Sequence, residues 1–268
     1  MPLLRETVFK RSMNFFDYDS WKGLFVEPPP TARPGLDKFE FNFTYGDHHI
    51  RTIIAGCFEG SGLPLPNLLE LKFSDYESDD ANDHEYTYDT ASRSLPPLTT
   101  YHRVGGEGRG SGSCNTSVTL GDPVSGIPVL VGFSLTYGKT DHHVWEVMVS
   151  LGKDADGRVT LETTLEDKPS CPAYSYAVEY AVVPESRVAY TARASATDHR
   201  GPAILPGGND DVLQGFWLKF RDDDHHLREL SVSVGGNLGT TEVVFQDDSN
   251  PSPPYDVWVD YAELKRFP

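Results

Sequence analysis

The chain has 268 residues, with 40 acidic against 23 basic side chains and a formal net charge of -17. So acidic a balance leaves no basic face able to neutralise a run of phosphates, which excludes nucleic acid and anionic membrane surfaces as partners. Hydrophobic residues at 38%, aromatics at 12%, 24 glycines and 20 prolines describe a turn-rich globular protein with enough apolar surface for a core.

The amino-terminal stretch MPLLRETVFKRSMNFF carries charges where a secretion signal needs an apolar run, and no segment reaches the roughly 18 apolar residues of a membrane span. The expectation is a soluble protein with no signal peptide, either cytoplasmic or released as part of an assembly. Phe15, Phe16, Tyr18, Trp21 and Phe25 then precede the rigid Pro28-Pro29-Pro30. Residues 1–30 therefore read as an aromatic arm that docks on its own chain or on a neighbouring subunit, the second case implying a homo-oligomer or a larger protein assembly.

Next comes FEFNFTYGDHHIRTIIA from Phe39, in which bulky residues alternate on both sides of Asp47-His48-His49. A strand-like run ends at Asp75, an acidic loop follows, and an aromatic alternating strand runs from Glu85 through Tyr86. After the flexible GGEGRGSGS and a short strand at Ser117, the order recurs. FSLTYGKTDHHVWEVMV from Phe133 contains Asp141-His142-His143, LETTLED ends at Asp167, and an aromatic strand opens at Tyr174. A third passage follows the strand at Arg187, with FWLKFRDDDHHLRELSV from Phe216 containing Asp224-His225-His226, EVVFQDD through Asp247, and an aromatic strand from Tyr255.

Three gapless matches in one register read as an internal triple repeat. The period-two alternation marks strands, and no long run holds a helical spacing. The expected fold is all-β: three related antiparallel β-units at 31–103, 104–184 and 185–268, either β-sandwich-like or packed as one pseudo-threefold β-body. Each Asp-His-His is expected at a hairpin turn.

Neighbouring residues on a strand face opposite ways, so one imidazole of each pair, with its Asp as partner through the other ring nitrogen, is the reasonable ligand set. The candidate metal residues are thus Asp47, His48, His49, Asp141, His142, His143, Asp224, His225 and His226. Should the three units converge, three imidazoles suit a divalent transition metal such as zinc or iron, with copper and nickel also compatible. Alternatively the Asp residues cap turns and the His residues bridge strands. Calcium is less favoured, because the acidic loops lack a complete EF-hand pattern and Asp154 to Gly157 reads as a hairpin turn. Asp75, Tyr86, Asp167, Tyr174, Asp247 and Tyr255 are further candidates for ligand binding.

Cys57, Cys114 and Cys171 are odd in number and widely spaced, which reads as three reduced thiols. Asn42 and Asn115 open glycosylation sequons but carry little meaning without a secretory route. No catalytic signature such as G-x-S-x-G or H-E-x-x-H occurs. The favoured expectation is a non-enzymatic structural or binding protein. A carbohydrate-binding, lectin-like module is the first alternative and a metal-dependent enzyme the second.

Overall fold

The structure, a computed structural model, describes residues 9–11, 34–43, 49–50, 52–57, 69–74, 86–108, 115–138, 142–168, 171–235, 239–247 and 249–266. These residues form strands and turns, with a single 3-10 turn at Glu185–Arg187 and no α-helix among them. Most of the expected amino-terminal arm lies outside the described residues, as do Asp47, His48, Asp75 and Asp141.

In chain order the strands are β1 (Phe9–Arg11), β2 (Pro34–Phe43), β3 (Thr52–Cys57), β4 (Leu69–Ser74), β5 (Tyr86–Ser94) and β6 (Thr100–Gly108). Next are β7 (Thr116–Leu120), β8 (Ile127–Tyr137), β9 (Glu146–Lys153), β10 (Val159–Glu166) and β11 (Tyr174–Val183). The last are β12 (Val188–His199), β13 (Ala203–Pro206), β14 (Asp211–Phe220), β15 (Glu229–Ser233), β16 (Thr240–Gln246) and β17 (Tyr255–Leu264). Alternation explains them: along β17, Tyr255, Val257, Val259 and Tyr261 are buried while Asp256, Trp258 and Asp260 are partly exposed.

The strands make three antiparallel sheets, ordered β1-β5-β2-β15-β16-β13, β12-β17-β14-β9-β10-β7 and β4-β3-β8-β11-β6. At the centre of each sheet lies the strand carrying Phe39, Phe133 or Phe216. On one side it pairs with the aromatic strand that closes its own passage of sequence. On the other it pairs with a strand that follows the His-His pair of a different passage: β2 with β15, β8 with β3 and β14 with β9.

This corrects the hairpin expectation. The strands flanking each His-His pair do not pair with each other; β2 and β3, β8 and β9, and β14 and β15 each belong to two different sheets. The Asp-His-His segments are crossovers from sheet to sheet. A true hairpin joins β9 to β10, where Gly157 has φ 81° and Asp154 Oδ1 accepts the amides of Asp156 and Arg158 at 2.9 Å each.

Each central strand bulges two residues before its Phe, as the pairing skips Asp37, Val131 and Gln214. A bulge adds twist and bend. The three Phe side chains are completely buried and their rings meet in a triangle with centroids 5.2, 5.0 and 5.2 Å apart. Around them Phe41, Leu135, Leu218, Ile53, Val149 and Leu230 build one continuous core between the sheets.

Cys171 is disulfide-bonded, which corrects the expectation of three reduced thiols. Widely spaced cysteines carry no information on approach in space, so spacing could not reveal the bond. Among the described residues no helix is long and apolar enough to cross a membrane.

Candidate metal centre

The crossovers are held to one another by backbone bridges. Ile50 and His142 exchange hydrogen bonds, each amide donating to the other's carbonyl at 2.8 and 2.9 Å, and Val144 and His225 do the same at 3.0 and 3.1 Å. The aliphatic residue after each pair, Ile50, Val144 or Leu227, is fully buried and anchors its crossover in the core. With Val144 turned inward in a strand-like bridge, alternation sends His143 to the opposite side.

There the second histidine of each pair meets its counterparts. The rings of His49, His143 and His226 lie 4.5, 4.5 and 4.4 Å apart between centroids. Each offers a nitrogen, and the three nitrogens all lie within 4.8 Å of one another. Nε2 of His143 is 2.8 Å from Nε2 of His226. Tetrahedral zinc with bonds of roughly 2.0–2.1 Å needs ligand nitrogens about 3.3–3.4 Å apart, so a small outward rotation of these rings would admit the ion. The described residues therefore include a histidine group geometrically able to hold a metal.

Carboxylates stand behind the rings. Nδ1 of His143 is 2.8 Å from Asp224 Oδ2, a contact that favours the proton on Nδ1 and turns the Nε2 lone pair towards His226. This carboxylate comes from the following crossover, whereas the sequence reading assigned each imidazole the Asp of its own motif. Asp141 lies outside the described residues. The first histidine of each described pair turns away from the triangle: His142 Nδ1 lies 2.8 Å from Asp167 Oδ2, and His225 Nδ1 lies 2.8 Å from Asp247 Oδ2. His142 also packs on Tyr137 and His225 on Phe220, with ring centroids 4.6 Å apart in both cases.

Asp167 and Asp224, together with His143, form a second group whose ligand atoms all lie within 4.8 Å of one another. Burial, then the neighbouring Asp224, pushes the Asp167 carboxyl up from its ordinary value. Burial also works upward on Asp224, but hydrogen bonds from Asp167 and His143 outweigh it and hold this carboxyl below its ordinary value.

Among the residues singled out for ligand binding, Asp167 and Asp247 support histidines. Tyr174 and Tyr255 are core residues, 2% and 0% exposed. Their hydroxyls donate to backbone carbonyls, Tyr174 to Thr163 at 2.7 Å and Tyr255 to Gly201 at 2.7 Å. Tyr86 contributes its backbone to β5. The acid ending each strand-like run was visible as a recurring Asp, but its pairing with the first histidine was not, since the two lie 25 residues apart in the case of Asp167.

No protein-family model matches the chain, and no curated protein matches it either. The functional reading accordingly rests on the geometry.

Proposed function

We propose that this protein is a non-enzymatic binding or structural β-protein built from three repeated units, closed by a divalent transition metal, zinc or iron, at His49, His143 and His226. The supporting observation is the convergence of three imidazole nitrogens supplied by three crossovers. Nitrogen donors suit zinc or iron, whereas calcium takes oxygen ligands. Because each ligand belongs to a connection between two sheets, a bound ion ties all three sheets together, and its binding free energy adds to folding stability. The matching strand orders, the three bulges and the phenylalanine triangle favour the repeat, with each unit lending two or three of its strands to a neighbour.

Elemental analysis with a zinc titration of the metal-free protein tests this reading. One equivalent per chain is expected, with a rise in melting temperature that chelation reverses and that His143→Ala removes. Binding of no zinc or iron, with melting unchanged by chelator, would overturn it.

A carbohydrate-binding reading is favoured by a different surface. On the outer face of the β12-to-β7 sheet, the indoles of Trp217 and Trp258 lie nearly parallel, 6.4 Å apart and 20° from coplanar. Around them stand Glu146, which accepts from Trp217 Nε1 at 2.7 Å, and Arg193, paired with Asp260 at 2.6 Å. Indole faces beside fixed donors and acceptors suit the mixed apolar and hydroxyl surface of a sugar. Saccharide titrations monitored by tryptophan fluorescence test it; a response abolished by Trp217→Ala is expected, and no response to any saccharide would reject it.

A further inference from the structure

β14 opens at Asp211, the end of the strand remote from the histidine centre, which lies beyond Phe220. The 10 residues of this strand, rising about 3.3 Å each, put roughly 30 Å between its two ends. Across the sheet Asp211 stands directly opposite Glu263 of β17, and Glu263 directly opposite Tyr190 of β12. Like charges so opposed on neighbouring strands repel. Among the described residues neither acid is in an ion pair. Arg93 and Arg266 are the guanidinium groups whose charge reaches Asp211 and Glu263, yet both are bonded to Asp210, at 2.5 and 2.7 Å.

Asp211 is 0% exposed, and while its Oδ2 accepts from the Gly208 amide, its Oδ1 is buried with no hydrogen-bond partner. A carboxylate oxygen left so is costly. A Cβ on Gly208 would fall 2.6 Å from that Oδ1, 2.6 Å from Glu263 Oε2 and 3.0 Å from the Tyr190 hydroxyl, so three oxygens converge over a spot that only glycine leaves open. We propose that Asp211, Glu263 and Tyr190 form a cation site, distinct from the histidine centre, that takes a hard divalent ion of the calcium class. All three donors are oxygens, and calcium bonds of about 2.3–2.6 Å in flexible geometry suit two carboxylates that flank one point. Tyr190 is 44% exposed, and on its side water completes the shell. The ion gives Asp211 Oδ1 a partner, cancels the repulsion between the two acids and ties β12, β17 and β14 together at one corner of their sheet. Burial, with the charge of Glu263 adding to it, raises the Asp211 carboxyl from its ordinary value when no cation is bound. The proposal stands apart from the zinc or iron reading, which rests on nitrogen donors at the other end of β14.

The test uses the intact chain, stripped of metal with a chelator and then dialysed, and calcium itself. Terbium serves as a luminescent surrogate excited through Tyr190 and Tyr261, whose ring centroids lie 6.5 Å apart. Calcium is expected to raise the melting temperature and to displace the bound terbium. Asp211→Asn and Glu263→Gln should each weaken calcium binding by about tenfold or more, since each removes one charged ligand. In calcium-free protein each variant should melt no lower than the parent, because the repulsion is gone; an acid with a merely structural role would show a loss there. Should Asp211→Asn fail to fold, the partly exposed Glu263→Gln decides alone. Absence of any melting shift or terbium signal at millimolar concentrations overturns the proposal. A calcium response that Glu263→Gln retains in full overturns it too, by placing the ion elsewhere, as does an equal loss of melting temperature in that variant with and without calcium.

Discussion

Asp37 occupies the bulge of β2 with its side chain only 5% exposed, and its Oδ1 has no hydrogen-bond partner among the described residues. Burial lifts its carboxyl from 3.8 to about 7, and Arg93, whose Nε lies 3.9 Å away, offsets only part of that rise. A folded-state value above the unfolded one means that the native state binds the extra proton. Stability is therefore undiminished below pH 4, falls as pH rises towards 7, and carries the full penalty above it. Asp37→Asn should leave stability almost unchanged at pH 4 and raise it at pH 8 by roughly 2–4 kcal/mol, read from urea unfolding at the two pH values. At the opposite functional extreme, Asp224→Asn keeps the shape of the carboxyl behind His143 but loses its charge, and should weaken zinc binding about 10- to 100-fold with little change in melting of the metal-free protein.

The crossovers show where sequence reading stops. Alternation in FSLTY or YDVWVDY exposes which face of a strand is buried, and from that the all-β class follows. It carries no information on which strand lies alongside. Two strands separated by a short polar segment read as a hairpin, and between β9 and β10 that reading is correct because Asp154 and Gly157 supply the turn chemistry. The strands on either side of each Asp-His-His segment lie in different sheets, and the bridges between Ile50 and His142 and between Val144 and His225 show that the described residues of these segments meet each other instead. The same limit hid the partners of His142 and His225, and the disulfide at Cys171. The β9–β10 turn offers a direct check on its backbone conformation. Gly157→Ala would meet only Pro123 Cβ, at 3.8 Å, so its cost is purely that of a positive φ, about 1 kcal/mol by chemical denaturation.

Phe39, Phe133 and Phe216, one from the central strand of each sheet, pack ring against ring where the three sheets meet. Phe133→Ala should therefore leave a cavity bordered by all three sheets and cost about 3–5 kcal/mol in urea unfolding, with one cooperative transition lost or weakened for the molecule as a unit. Phe133→Leu, which keeps most of the volume, should cost much less.

The pairing of β2 with β15 sets Phe39 beside Val232, so the first sheet joins an early part of the chain to a late one. During synthesis β2 emerges long before its neighbour exists, and its inner edge stays unpaired until nearly the whole chain has been made. The β3–β8 and β9–β14 pairings become available earlier, but β17, which joins β12 to β14, is the last strand made, so the β4-to-β6 sheet closes first and the β12-to-β7 sheet last. A ribosome paused before Glu229 would hold a nascent chain with the β4-to-β6 sheet able to form and open strand edges at β2 and β14 in the other two, the stage at which this protein most needs protection from pairing with another chain.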